Sequence, residues 1–413
     1  MKWSPQQESA LSQVKKWINS GSEQVFHLFG YAGTGKTTMA KEIASIVPGN
    51  VLYACFTGKA AYVLRSKGCE GATTIHSLIY HTRDKGKSQL EEMEKQLQSL
   101  IDELTSQSMW VEEIEKQPRV KAIRKLINDE KDSVKQPFFI LNLESDVRQA
   151  KLVIIDECSM VDARMGADLL SFGVKVLVLG DPAQLPPIGG AGYFTENVRP
   201  NVMLEEIHRQ AEESPIIRMA TQVRNEQPLQ LGNFENECRV ISGERIDPDI
   251  ALGFDQILVG KNKTRFATNK RVRTLRGYND PYPVIGDRLV CLRNNHEAGL
   301  LNGAIFSVSS VDGIMDHKVM IDIVPENERH AQSVMAHEHY FLGKGDDLPW
   351  FERKEAQEFD YGYALTVHKA QGSQWNSVLL FDESHCFRKD RWRWLYTGIT
   401  RAVEKLTVVR MEN

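Results

Sequence analysis

The segment that most constrains this chain is a nine-residue loop placed between a strand and a helix. A short apolar run, Val25–Phe29, leads into Gly30-Tyr31-Ala32-Gly33-Thr34-Gly35-Lys36-Thr37-Thr38, and helical sequence follows. GxxxxGK(S/T) in that context is a phosphate loop. Its glycines let backbone N–H groups curl around phosphate oxygens at the positive end of a helix. Lys36 is expected to reach the β- and γ-phosphates and Thr37 to bind Mg2+. Gly30, Ala32, Gly33, Thr34, Gly35 and Thr38 complete the cradle. A loop of this kind works at the end of a parallel strand, which commits the chain to α/β architecture.

The rest of the sequence keeps that rhythm. Short β-branched runs that pass into helical patterns occur at Val51–Ala54, Leu152–Ile155 and Val174–Leu179. They recur at Gln256–Val259, Tyr363–Thr366, Val378–Phe381 and Leu406–Val409. Two parallel-sheet cores in tandem account for them. Leu152–Ile155 leads directly into Asp156-Glu157, and a carboxylate at that end of a parallel strand points into the ligand crevice. Asp156 is expected to hold Mg2+ through water and Glu157 to polarise the attacking water.

Two stretches depart from the pattern. Between about Tyr80 and Gln149 the sequence is polar and helical, with Leu90, Met93, Leu97, Leu100 and Leu104 forming a seam of two heptads. So short a seam suits one helix packing on a neighbour rather than a coiled coil. Pro118 separates it from a second helix near Val120–Asn128, and Pro137–Leu141 closes the insert as a strand. From about Tyr282 to Glu358, the strands Arg288–Arg293, Ala304–Val311 and Lys318–Val324 alternate with turns at Asn302-Gly303 and Asp312-Gly313. A small β-barrel inserted in the second core is the expectation.

Composition narrows the classes of function. The chain has 413 residues and a net charge of −4, which excludes coating nucleic acid by bulk charge but not a local basic channel. Seven bases and no acids lie between Lys261 and Arg276, whereas eight acids and two bases lie between Gln89 and Lys116. None of the six cysteines forms a CxxC pair, so zinc, redox and disulfide frameworks are not indicated. No apolar run approaches a membrane span and the start lacks a secretory core, so a cytoplasmic, membrane-free, monomeric protein is expected.

Among phosphate-loop proteins, a guanine-specific GTPase carries Asn-Lys-x-Asp, but here Asn262-Lys263-Thr264-Arg265 puts arginine at the aspartate position. A small-molecule kinase needs no second α/β core. The other motifs are Cys55–Ala61, Thr73–Leu78, Gly180-Asp181-Pro182-Ala183-Gln184-Leu185-Pro186-Pro187 and Glu206-Ile207-His208-Arg209-Gln210. Tyr363–Ser373 and Trp394–Ala402 follow near the C-terminal end. In this order the set resembles helicase superfamily 1B, the 5′-to-3′ DNA helicases that include RecD-like and phage Dda-like proteins. It spans residues 7 to 402.

The resemblance implies two RecA-like cores binding ATP and Mg2+ between them and single-stranded DNA across their top. It implies that Gln7 reads adenine, Gln184 couples γ-phosphate to DNA, and Arg209 and Arg401 reach the γ-phosphate across the cleft. Thr57, Lys59, Thr74 and His76 match the DNA contacts of the first core. Thr264, Arg265, Asn269, Thr366, His368 and Lys369 match those of the second. The expected division is 1–79 with 148–205 for the first core and 80–147 for a helical and hairpin insert. The second core takes 206–281 with 359–413, and an SH3-like insert takes 282–358. Related helicases place a strand-separating pin where the first insert ends, and Phe139 is the expected exposed ring. Single-stranded DNA and single-strand/duplex junctions are the expected partners, along with replication or recombination proteins. A DNA-stimulated translocase that strips proteins without unwinding, and an RNA helicase, remain alternatives.

Overall fold

In a computed structural model, the protein is described over residues 3–83, 87–106, 109–133, 138–187, 190–206, 214–235, 238–243, 247–295, 298–326 and 330–411. The first sheet runs Thr73–Thr74, Val51–Cys55, Leu152–Asp156, Val176–Gly180, Val25–Gly30, Val202–Leu204, and every pairing in it is parallel. Leu152–Asp156 and Val176–Gly180 are buried at every position, as expected of central strands covered on both faces. Side chains alternate between two cores: Leu152, Ile154 and Leu177 enter one, and Val153, Ile155 and Val178 the other. The helix Pro5–Ser20 starts with a capping box between Ser4 and Gln7 and buries Ala10, Val14 and Trp17 along one face.

The second sheet runs Ala364–Thr366, Gln256–Val259, Trp375–Asp382, Ala402–Arg410, Arg239–Ser242, Gly232–Asn233, with only the last pair antiparallel. A five-stranded antiparallel sheet runs Gln332–His337, Lys318–Pro325, Ile305–Met315, Arg288–Cys291, Phe359–Tyr361. It shares a core with one face of the second sheet, where Leu289, Phe306 and Ile321 meet Ile257, Val259 and Leu379. In the first insert the helices Lys87–Ser106 and Pro118–Ser133 pack on each other, and Tyr80–Arg83 pairs with Phe138–Leu141.

Several expectations need correction. Phe359–Tyr361, assigned to the second core, pairs with Arg288–Cys291 in the small sheet. Asp312-Gly313 is not a turn but lies inside Ile305–Met315, where the extra residue is absorbed by bulges. The hairpin turns at Asp316-His317, both at positive φ (48° and 60°), which matches the twist of the flanking strands. Val202–Leu204, Arg239–Ser242 and Gln332–His337 were not anticipated; the first is only three residues long.

The basic helix Asn262–Leu275 is joined to the small sheet by a buried ion pair. Arg273 donates from Nε to Asp287 Oδ1 at 3.0 Å and from Nη2 to Oδ2 at 2.9 Å. Asp287 is fully buried and also accepts from the Tyr363 hydroxyl and the Val284 N–H. Removing one partner leaves a buried charge without its counterion, typically a loss of about 3–5 kcal/mol. Arg273→Met is therefore expected to lower the unfolding free energy obtained from urea titration by an amount in that range, and a change under about 1 kcal/mol would place the junction's stability elsewhere.

Candidate functional site

The phosphate loop is shaped by backbone that only glycine adopts without strain. Gly33 and Gly35 have φ of 82° and 81°, and a Cβ at Gly30 would meet Thr34 Oγ1 at 2.6 Å and Leu204 Cβ at 2.8 Å. Lys36 Nζ donates to the Gly30 and Tyr31 carbonyls at 2.6 and 3.0 Å, so the ammonium is held over the loop. Thr37 Oγ1 donates to Asp156 Oδ2 at 2.9 Å. This hydroxyl–carboxylate pair is a hard-oxygen donor set that fits Mg2+. Gln7, buried, donates from Nε2 to the Thr34 carbonyl at 3.0 Å, which fixes the loop from the helix Pro5–Ser20.

Both large sheets contribute to the cavity above the loop, about 770 Å³ in volume. Lys36, Asp156, Glu157 and Gln184 line it from the first, Gly372 and Arg401 from the second. Glu157 sits in left-handed backbone, φ 54° and ψ 44°, directly after its strand. Burial raises its pKa and the neighbouring Asp156 adds to the effect, while Arg401 and Lys36 oppose it. Burial lowers the pKa of Arg401, against the pull of Glu157. The Arg401 guanidinium is positioned by the Thr397 and Ser373 carbonyls and the Thr400 hydroxyl. Arg209 lies outside the described residues.

A second cavity, about 700 Å³, also lies between the sheets. It brings together Thr57, Lys59, Thr366, His368 and Lys369 from the expected strand-contact set. Lys59 lines both cavities; its Nζ is 4.5 Å from the Trp375 ring centroid, and burial lowers its pKa to about 8. Phe56 and Phe387 also line this space, and neither was singled out from sequence. Phe56 was legible in principle, since it directly follows the strand Val51–Cys55. Phe387 lies in a stretch with no motif.

Other members of that set have structural positions. Thr74 is buried and caps the helix Ile75–Ile79 by accepting the Ser77 N–H. His76 packs on Phe56, Tyr80 and Phe139, and burial lowers its pKa. Asn269 is 2% exposed, donates to the Tyr361 and Ala364 carbonyls, and accepts the Ala364 N–H, a brace between helix and strand. Thr264 donates to Glu383, and Arg265 pairs with Asp360. With Arg273 on Asp287 and Lys261 on Glu383, three of the seven bases of the run Lys261–Arg276 are paired within the fold, while Lys263, Lys270 and Arg271 are exposed.

Phe139 is likewise not the exposed ring expected. It is half-buried, with its ring centroid 5.0 Å from His76 and 5.8 Å from Tyr80. The antiparallel pairing of its strand with Tyr80–Arg83 sets the face it occupies.

With this geometry the family can be assigned. The AAA domain family matches residues 2–245, more than half of the chain, and the UvrD-like helicase C-terminal domain matches residues 361–409. The chain belongs to the AAA-domain family. The ATP-dependent RecD2 DNA helicase of Deinococcus radiodurans is 27% identical over 287 residues, covering 62% of this chain and 35% of the relative. An uncharacterized protein of Acanthamoeba polyphaga mimivirus is 28% identical over 219 residues, covering 49% of this chain and 38% of that protein. The chain thus spans little more than a third of these curated relatives. The fold is shared with Pif1 helicase from Candida albicans (17% identity, TM-score 0.51, 100% of this chain and 96% of that one). It is shared too with Pif1 helicase from Bacteroides in complex with ADP-AlF3 and ssDNA (16% identity, TM-score 0.53, 100% and 94%).

The packing of Phe139 generates a test. Each aromatic contact contributes about 0.5–1.5 kcal/mol, so Phe139→Ala is expected to destabilise the protein by about 1–3 kcal/mol, seen as a lower melting temperature. An unchanged melting curve with slowed duplex unwinding would restore the ring to a strand-separating role.

Proposed function

We propose that the protein is an ATP- and Mg2+-dependent motor that translocates 5′ to 3′ on single-stranded DNA and unwinds duplex. The observation that carries this is the composition of the first cavity: phosphate loop and acidic pair from one sheet, a buried arginine from the other. A cleft built that way responds to nucleotide by drawing the two sheets together. The name of the Deinococcus relative supports DNA as the substrate.

In this mechanism Thr37 and Asp156 would hold Mg2+, which would supply charge neutralisation at the phosphates. Lys36 moves from the loop carbonyls to the phosphates, and Arg401, together with Arg209, stabilises charge on the transferred phosphoryl group, an effect of about 10³–10⁵ for an arginine finger. Glu157, its basicity raised by burial, orients and polarises the attacking water. Gln184 lines the same cavity, and the adjoining Leu185–Pro187 line the second one. Closure around nucleotide is thereby felt where the DNA strand lies, among Thr57, Lys59, Thr366, His368 and Lys369.

We assign the two large sheets to tandem RecA-like cores and the five-stranded sheet to an SH3-like insert. The boundaries are 1–79 with 148–205, then 80–147, then 206–281 with 362–413, and 282–361 for the insert. The last boundary moves so that Phe359–Tyr361 stays with its paired strand.

Glu157→Gln preserves shape but removes the polarising charge. It is expected to leave ATP affinity within about twofold while lowering kcat by about 10²–10⁴-fold. Near-normal turnover would remove Glu157 from this role. On tailed duplexes, ATP-driven unwinding is expected with a 5′ tail and not with a 3′ tail or blunt ends. ATP-driven protein displacement without unwinding would favour the stripping translocase instead.

A further inference from the structure

Exposed positive charge is concentrated in a segment that no motif covers. The turn Ser384–Asp390 joins the helix Arg391–Ile399, and between 385 and 393 the sequence carries His385, Arg388, Lys389, Arg391 and Arg393 against one acid, Asp390. Arg393 lies 3.8 Å from Asp390. Arg388, Lys389 and Arg391 are exposed, and no carboxylate among the described residues lies within ion-pair distance of them. In the helix Asn262–Leu275, by comparison, Arg265 and Arg273 are paired inside the fold, while Lys263, Lys270 and Arg271 are exposed.

The crest is a ridge between two cavities. On one side Phe387 and Asp390 line the inter-sheet cavity that holds Thr366, His368 and Lys369. On the other, Ser242, Ser384, His385, Arg391 and Arg410 line a cavity of about 420 Å³, and Asp382 is the one acid in its lining among the described residues. That acid accepts the Ser384 N–H. Ser242, Asp382 and Arg410 end three adjacent parallel strands, so this cavity lies at the carboxyl edge of the sheet, where ligands gather in α/β folds.

The ridge is held rigidly. The Phe387 ring stacks on Trp394 at 5.3 Å and 10°, and His368 lies against it at 5.3 Å. Next to it Arg388 sits at φ 44° and ψ −108°, a conformation that persists only where its surroundings over-determine it. Phe387 is thus fixed toward the first cavity while the flanking cations are turned outward.

We propose that this crest, with Arg410, binds the sugar–phosphate backbone of single-stranded DNA where it continues beyond the inter-sheet cavity. The inference rests on that cavity being the strand site. Cations at a rigid ridge next to an aromatic-lined cavity suit a polyanion whose bases stack on one side while its phosphates cross the other.

The test compares fluorescence anisotropy of oligothymidylates of about 6 and about 15 nucleotides, spanning the range of single-strand site sizes. The unaltered protein is expected to bind the longer strand at least tenfold more tightly at low salt. In the double variant Lys389→Gln with Arg391→Gln that gain should vanish, and the log–log salt slope for the longer strand should flatten by about 1.4, two phosphates at about 0.7 each. The charge-retaining pair Lys389→Arg with Arg391→Lys should keep both. A length-dependent gain that survives in the glutamine variant overturns the proposal, as does an unaltered protein that binds both lengths equally. A loss confined to forked duplex also overturns it, assigning the crest to a duplex arm. If the unaltered protein binds neither strand, the strand-site reading itself fails.

Discussion

One phenolic hydroxyl joins the two sides of the cavity above the phosphate loop. Tyr396, on the helix Arg391–Ile399, donates to Asp181 Oδ2 at 2.6 Å and accepts the Ala32 N–H at 3.0 Å. Ala32 belongs to the phosphate loop, and Asp181 follows the adjacent strand Val176–Gly180. Burial, reinforced by Asp181, pushes the tyrosine pKa well up, so the hydroxyl keeps its proton and can donate. Two further bonds cross nearby: Thr397 Oγ1 accepts the Leu185 N–H, and Gln371 Nε2 donates to the Leu185 carbonyl. Separating the sheets here breaks a few discrete bonds and leaves buried groups to find new partners, typically about 1–3 kcal/mol each. Such a seam favours a small set of defined arrangements over a continuum.

The same bonds hold the segment that connects the two cavities. Asp181 and Leu185 are pinned to the second sheet, and between them Gln184 lines the cavity above the phosphate loop with a buried Oε1 that has no partner among the described residues. Leu185, Pro186 and Pro187 turn to the other cavity. Because these residues are consecutive and their ends are fixed, movement of the helix Arg391–Ile399 reaches both sites at once. Lys59 is a second link, since it borders both cavities and lies over Trp375 of the opposite sheet.

Charge in this protein divides into a paired set and an outward-facing set, and density along the sequence does not distinguish them. Seven bases between Lys261 and Arg276 look like a nucleic-acid surface, yet Asp287, Asp360 and Glu383 arrive from distant segments to pair with three of them. On the helix Asn262–Leu275, Arg265 and Arg273 become joints to neighbouring segments, whereas Lys263, Lys270 and Arg271 stay exposed. In the shorter run between 385 and 393, Arg388, Lys389 and Arg391 are exposed at a turn.

The sequence by itself determined the phosphate loop, the acidic pair and eight of the twelve described strands of the two large sheets, because each is encoded within a few consecutive residues. Glycine at positive φ, apolar runs ending in Asp156-Glu157 and the order of motifs are local properties that do not depend on what packs against them. It left open the short strands Val202–Leu204 and Phe359–Tyr361, whose pairing comes from partners far along the chain. It also could not say which polar residues are surface contacts and which are braces. Thr74 and Asn269 have the chemistry of strand contacts, but the tertiary structure fills their hydrogen bonds with a helix end and a strand backbone. Phe139 became a packing residue for the same reason: the antiparallel partner strand, absent from any local signal, set the face its ring occupies. Local chemistry fixed what each residue can do, and only the arrangement of distant segments decided which of those capacities remain free.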